Sequence, residues 1–478
     1  MNEALALAIA LPLFGAIATT VWSSQSHRIS LVTLLLTSFT TVAIFWHTLN
    51  HGEFTQHLGG WQTGLAIKLH IDGISSIMLM LTSLVSIAVS IYTTRYFSKH
   101  KDAARFWPLW LLLIAALNAL FMSADLFNIY VTLELLGLSA VALTALDGKA
   151  DSIRAAIRYL LIGLLGSLAY LAGVAILYAA FGTLDMQALS GKISVDPASE
   201  AALTLMTAGL LLKAALFPLH FWLPAAHSSA PAPVSAALSA LVVKAGFYLV
   251  LRLWTEVFPE AISHQGAYLI GILGSGAVLW GSWQALRAER LKLLAAYSTV
   301  AQLGYLFIGL ALLVTTPPGA AHNIILGAIM IMAITHGFAK SALFLAAGVI
   351  LQQAGHDRIK DLDGTSQRLP ATTFAIALAG VALIGLPPSG AFLGKWHLLS
   401  ASMEQGQWLL VIVMSIGSLL AAAYIFRVLG HAFGNTAFAS RKVNQPLEEW
   451  PALALGIFAT LILGFGSAWL WPLLEASV

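Results

Sequence analysis

Stretches of about twenty apolar residues, each long enough to cross a bilayer as a helix, follow one another along this whole chain. Hydrocarbon offers no partner to a backbone N–H or C=O, so only helices or a closed barrel suit such a sequence. The runs are too long and too continuous for barrel strands, which alternate and span only about ten residues. Candidate spans fall at 4–22, 29–47, 72–94, 107–123, 125–146, 157–181, 201–222, 231–254, 265–286, 292–314, 322–352, 371–394, 408–430 and 451–474. An all-α polytopic membrane protein of about fourteen transmembrane helices is expected. Only 9% of the 478 residues are charged and 59% are hydrophobic, with a mean hydropathy of +0.85. A soluble enzyme or a disordered chain of this length needs far more charge. Glu3 is the only early charge, so the first span lacks the basic leader of a signal peptide and is read as a helix. The absence of cysteine excludes disulfides, iron–sulfur ligation and thiolate metal sites. No cofactor or metal site is expected, and the loops near 48–71, 182–200, 353–370 and 431–450 leave no room for a soluble domain.

Cytoplasmic loops collect Lys and Arg. With the N-terminus outside, 17 of the 24 basic residues fall in inner loops. They include Arg28, Arg95, Lys99, Lys101, Lys149, Arg154, Arg287, Arg290, Lys292, Arg358, Lys360, Arg427, Arg441 and Lys442. Only Lys68 and Lys192 fall in outer loops, and Arg252 lies near an outer boundary. Both termini are therefore expected outside the inner (plasma) membrane.

The remaining charges lie where the bilayer makes them costly, roughly 2.5–3.5 kcal/mol each at mid-span. Glu134 lies in the fifth span, Lys213 in the seventh and Lys244 in the eighth; His336 and Lys340 are one turn apart on the eleventh; Lys395 follows the Pro-Pro break of the twelfth. Lys395 sits close enough to a span end to snorkel, and His336 alone also fits a packing histidine. Asp72, Asp125 and Arg252, at span ends, read as caps or interface anchors. His220 and His227 flank the proline-broken seventh span. The lysines outnumber the carboxylate, and burial penalises their charged form, so not all of them stand in static ion pairs. A glutamate, lysines and a histidine spread over separate spans have the composition of a proton relay. Pro218 and Pro224 in the seventh span, and Pro387-Pro388 in the twelfth, interrupt helices at membrane depth. Such breaks are tolerated where they line a cavity, and two of them in corresponding places point to an internal repeat.

KAALFPLHFWLPAAHSSAPAPVSAALSALVVKAGFY at 213–248 resembles the signature of the proton-translocating, antiporter-like subunits of Mrp-type cation/proton antiporters, complex I and membrane-bound hydrogenases. HIDGISSIMLML at 70–81, LKLLAAYSTVAQLGYLFIGL at 291–310, ITHGFAKSALFLAAG at 334–348 and GLPPSGAFLGKW at 385–396 agree with it. DLFNIYVTLELL at 125–136 and GWQTGLAIKLHIDGIS at 60–75 are most similar to the D-type component of Mrp antiporters. The resemblance implies two inverted five-helix repeats with broken seventh and twelfth helices. The segments would be 1–106 (three helices), 107–255, 256–430 and 431–478. It implies that Glu134 tunes Lys213, that Lys244, His336 and Lys340 form the central relay, and that Lys395 is the terminal lysine. Relatives often carry lysine where Arg158 stands here; an arginine does not deprotonate, so its role would be electrostatic. The implied function is proton conduction in a D-type subunit of a multisubunit Na⁺/H⁺ antiporter, not catalytic by itself. The alternatives are a proton-pumping subunit of a complex I-like oxidoreductase or hydrogenase, or the membrane part of an inorganic-carbon uptake complex. Other membrane subunits, lipid, protons and Na⁺ or K⁺ are the implied partners. Nucleic acid is not among them.

Overall fold

The computed structural model describes residues 2–58, 67–97, 102–434, 448–470 and Leu473. Lys99, Lys101, Arg441 and Lys442, and the 60–66 part of the D-like motif, lie outside these residues.

Helices α1 (Asn2–Val21) and α2 (Ser26–His51) lead into a β-hairpin, β1 (Phe54–Leu58) paired antiparallel with β2 (Ile67–Ile71). The chain is therefore nearly, not wholly, α-helical. The hairpin is not legible in the sequence because only Leu69 and Ile71 of β2 point inward, too few alternations to register as a strand. Next come α3 (Gly73–Tyr96), α4 (Ala103–Met122), α5 (Leu126–Thr144) and α6 (Ala150–Phe181), then the short α7 (Met186–Ser190). An interrupted pair follows, α8 (Pro197–Lys213) and α9 (Leu223–Ser229). Beyond it are α10 (Ala232–Val257), α11 (His264–Arg287), α12 (Leu291–Thr315) and α13 (Ala320–Ala354). A second interrupted pair, α14 (Pro370–Ile384) and α15 (Gly390–Glu404), precedes α16 (Trp408–Ala432) and α17 (Glu449–Gly466).

Twelve helices among the described residues are long and apolar enough to cross a membrane, against an expectation of about fourteen. The difference lies in the seventh and twelfth expected spans, which the prolines divide into pieces too short to count. The twelfth also continues to Glu404, ten residues past its expected end, so Lys395 lies inside a helix instead of at its margin.

Acidic residues start several helices. Asp72 accepts from the Ser75 amide at 2.8 Å and completes a capping box. Asp125 accepts from the Phe127 and Asn128 amides, and Asp196 from those of Ala198 and Ser199. These satisfy amides that a helix start leaves unpaired. Helices α10, α12 and α13 are buried over nearly their whole length and form the core, with the other helices around them. The chain is a multi-pass membrane protein.

Both breaks are closed by specific contacts. At the first, Ala215 takes a left-handed backbone (φ 54°), uncommon for a residue with a side chain. The Trp222 indole donates to the Leu212 carbonyl at 2.9 Å, tying the chain beyond the break back to the α8 terminus. At the second, Gly385 ends α14 in the left-handed region (φ 82°), and a Cβ there would meet Lys395 Cδ at 2.7 Å. Ser389 then caps α15 by accepting from the Phe392 amide at 3.2 Å. Helix α17 runs against this break so closely that a Cβ on Gly464 would collide with the Pro388 carbonyl oxygen.

Candidate functional site

Glu134 and Lys213 meet across the molecule's first interrupted helix. Asp125 caps the start of α5, the helix that carries Glu134. Lys213 is the last residue of α8, and its ammonium lies 3.4 Å from Glu134 Oε1. The lysine is 10% exposed and the glutamate 21%. The pair lines a narrow cleft together with Leu133, Tyr159, Gly163 and Val242. Arg158, by contrast, lies exposed on α6, and no ion pair joins it to Glu134 among the described residues. The structure does not place it as a partner of the pair: the helical turn that directs Tyr159 inward directs Arg158 outward.

Lys244 is 1% exposed on α10. Just before it, residues Leu238–Val242 form a π-helical turn, and Lys244 Nζ donates to the Ser239 carbonyl at 2.9 Å. The Ser239 hydroxyl lies 2.8 Å from that of Thr299 on α12. Thr299 in turn donates to the Ala295 carbonyl at 2.9 Å. Lys340 of α13 donates to the same carbonyl at 2.9 Å and also to the Ser298 hydroxyl. Lys244 and Lys340 thus belong to one polar cluster: Ser239 accepts from Lys244 through its carbonyl and meets Thr299 through its hydroxyl, and Thr299 and Lys340 share the Ala295 carbonyl as acceptor.

The same face of α12 continues toward Lys395. Ser298, Gln302 and Tyr305 recur at helical spacing. Gln302 donates to the Leu383 carbonyl at 2.9 Å. Lys395 donates to that carbonyl at 3.2 Å, to Ile384 O at 3.0 Å and to the Ser418 hydroxyl at 3.2 Å. Its ammonium lies 4.2 Å from the centroid of the Tyr305 ring, a cation–π distance. Lys395 is 4% exposed and does not snorkel; it caps the carbonyl end of α14, where a helix dipole favours positive charge.

His336 is buried one turn from Lys340, and neither of its ring nitrogens has a hydrogen-bond partner among the described residues. His227, on α9, is fully buried in the same condition, with its ring stacked 5.0 Å from Phe344. His220 lies beside the first break against Phe217, in a separate cavity that Trp280 also lines. No hydrogen bond links Lys213 to Lys244 among the described residues; Val242 and Gly246 of α10 close the cleft between them.

Asp72 belongs to a different group. Besides capping α3, it pairs with Arg252 of α10, which also pairs with Glu256. Arg252 is 4% exposed, so it is a buried ion-pair centre and not an interface anchor. Its place near a span end concealed this, because α10 reaches five residues past it. Among the described residues no three His, Cys, Asp or Glu side chains converge on a metal-sized site.

Residues 123–421 match the family described as NADH:quinone oxidoreductase/Mrp antiporter, TM. The chain belongs to this family. Residues 61–107 match NADH-ubiquinone oxidoreductase (complex I), chain 5 N-terminus. The N-type subunit of the NADH-quinone oxidoreductase of Desulforudis audaxviator is 36% identical over 394 residues, covering 81% of this chain and 77% of that one. The D-type subunit of the Na(+)/H(+) antiporter of Bacillus subtilis is 28% identical and covers 99% and 96%. A chain of the Mrp complex from Dietzia sp. DQ12-45-1b has the same fold, with a TM-score of 0.88, 24% identity and coverage of 100% and 97%. The family and the fold thus agree with the motif resemblance.

Proposed function

We propose that this chain conducts protons along Glu134, Lys213, Lys244, His336, Lys340 and Lys395 as the D-type subunit of a multisubunit Mrp-type Na⁺/H⁺ antiporter. The observation that carries this reading is that Lys244, Lys340 and Lys395 are all buried around α12, Lys340 bonded to it directly, Lys244 linked to it through Ser239 and Thr299, and Lys395 sharing the Leu383 carbonyl with Gln302. A proton enters from the cytoplasmic side near the first break and reaches Lys213. Pairing with Glu134 sets how firmly Lys213 holds it. The segments 107–255 and 256–430 each supply half of the path. The proton passes the central lysines and His336 and leaves outward from Lys395. Both termini face outward in the plasma membrane, and the chain works with other membrane subunits. The near end-to-end match to the D-type Na(+)/H(+) antiporter subunit of Bacillus subtilis supports the D-type assignment.

The test is Na⁺-driven collapse of a pH gradient in inverted vesicles. Glu134→Ala, Lys213→Ala and Lys395→Ala are each expected to lower it more than tenfold at normal assembly. Full transport in either Glu134→Ala or Lys213→Ala sinks the relay. One observation favours a second reading, a pumping subunit of a redox-driven complex: the 36% identity to an N-type subunit of an NADH-quinone oxidoreductase. Under that reading the same substitutions abolish proton pumping that follows electron transfer, and Na⁺ collapses no gradient.

A further inference from the structure

Three cations that the relay does not use surround one pocket at the shared end of α11, α13 and α16. Arg358 and Lys360, from the loop after α13, and Arg427 and His431, from α16, line it together with Glu289. The base of the pocket is rigid. The Ile359 amide donates to the Glu289 carbonyl at 2.9 Å and the Leu291 amide to the Asp357 carbonyl at 2.8 Å, joining the two loops. Asp357, the nearby buried acid, is already taken by Arg290 and by the Lys292 amide, so it does not neutralise the pocket.

Arg427 is fixed in place. Its two terminal nitrogens donate to the Leu286 and Ala288 carbonyls at the end of α11, and its buried Nε has no partner among the described residues. A guanidinium carries five N–H groups; two hold the side chain and one is on the buried Nε, so one on each terminal nitrogen remains to donate to the pocket. Arg358 and Lys360 are exposed and form no ion pair among the described residues. Glu289 is the sole acid in the lining, which leaves an excess of two positive charges. The two helices that meet at the pocket also carry exposed apolar side chains, Trp283 on α11 and Leu419 and Phe426 on α16.

We propose that this pocket binds the phosphate of an anionic phospholipid, whose acyl chains lie on the exposed seam of α11 and α16. A fixed guanidinium and two free cations match a phosphate diester, and the apolar seam selects a lipid over a free anion. Each cation near an anionic headgroup contributes about fivefold in affinity. The experiment is titration of the purified full chain, in phosphatidylcholine nanodiscs, with fluorescent phosphatidylglycerol. The wild-type chain is expected to prefer this lipid to labelled phosphatidylcholine. The Arg358→Gln/Lys360→Gln variant is expected to bind it about 25-fold more weakly, and Glu289→Gln about fivefold more tightly. If the double variant fails to fold, the gain in Glu289→Gln carries the test alone. Unchanged binding in the folded variants overturns the proposal. So does displacement of the lipid by millimolar inorganic phosphate, which would make this a free-phosphate site. Preference lost once the chain is in its complex would assign the pocket to a protein neighbour and overturns it equally.

Discussion

At the scale of single residues, Lys340 holds its place through two acceptors on α12, one of them the Ser298 hydroxyl. Removing a partner from a buried polar group costs about 1–3 kcal/mol. Ser298→Ala is expected to slow proton transport severalfold without loss of assembly, while Ser298→Thr, which keeps the hydroxyl, stays near wild type; vesicle transport rates check both. Arg252→Met leaves the buried Asp72 carboxylate and the partly exposed Glu256 without their ion-pair partner. It is expected to destabilise the chain by about 3–5 kcal/mol, read as a lowered melting temperature and regained in part by Asp72→Asn in the same chain. The lysines were legible in the sequence because an ammonium in an apolar run is costly and therefore conspicuous. Ser239, Ser298, Thr299 and Gln302 were not. Serine and threonine commonly bond the carbonyl a turn back along their own helix, so their presence in a span carries no signal until a neighbouring helix is known. Ser298 and Thr299 do make such bonds, to Leu294 and Ala295, in addition to their contacts with Lys340 and Ser239.

At the scale of elements, the two broken helices were readable from their prolines, and the β-hairpin was not. Lys68 of β2 pairs with Asp185 at 2.9 Å, stitching the hairpin to the turn before α7; that contact joins residues far apart in sequence, which no local pattern announces. What holds the second break open was equally hidden. Helix α17 leaves room only for a hydrogen where Gly464 faces the Pro388 carbonyl. Gly464→Ala is expected to push α17 away, cost at least about 2 kcal/mol and displace Lys395 through the segment that precedes it. A lowered melting temperature together with lost transport checks this. Retained stability with wild-type transport would mean that α17 is free to shift.

At the scale of the whole molecule, burial is graded from the exposed apolar faces of α1, α2, α11 and α16 inward to α10, α12 and α13, which carry Lys244, the serine–threonine links and Lys340. Orientation rests on the loops. Lys149 and Lys192 are both exposed and lie in loops assigned to opposite sides. The chain contains no cysteine, so Lys149→Cys and Lys192→Cys can each be labelled alone. An impermeant maleimide added to intact cells is expected to label the second and spare the first; the reverse pattern inverts the topology.

One further property follows from the π-helical turn at Leu238–Val242. A π turn contains one residue more than the α turn it replaces. The central helix therefore carries a spare residue immediately before Lys244. Five residues of π helix turn the chain through about as much as four of α helix, so deleting Ala240 would let the helix close into regular α geometry with little rotation of what lies beyond it. What would go is the wide turn across which Lys244 Nζ reaches the Ser239 carbonyl, although no candidate relay residue had been removed. The width of one helical turn, set by a single inserted residue, thus shapes the surroundings of Lys244 as much as the charges do.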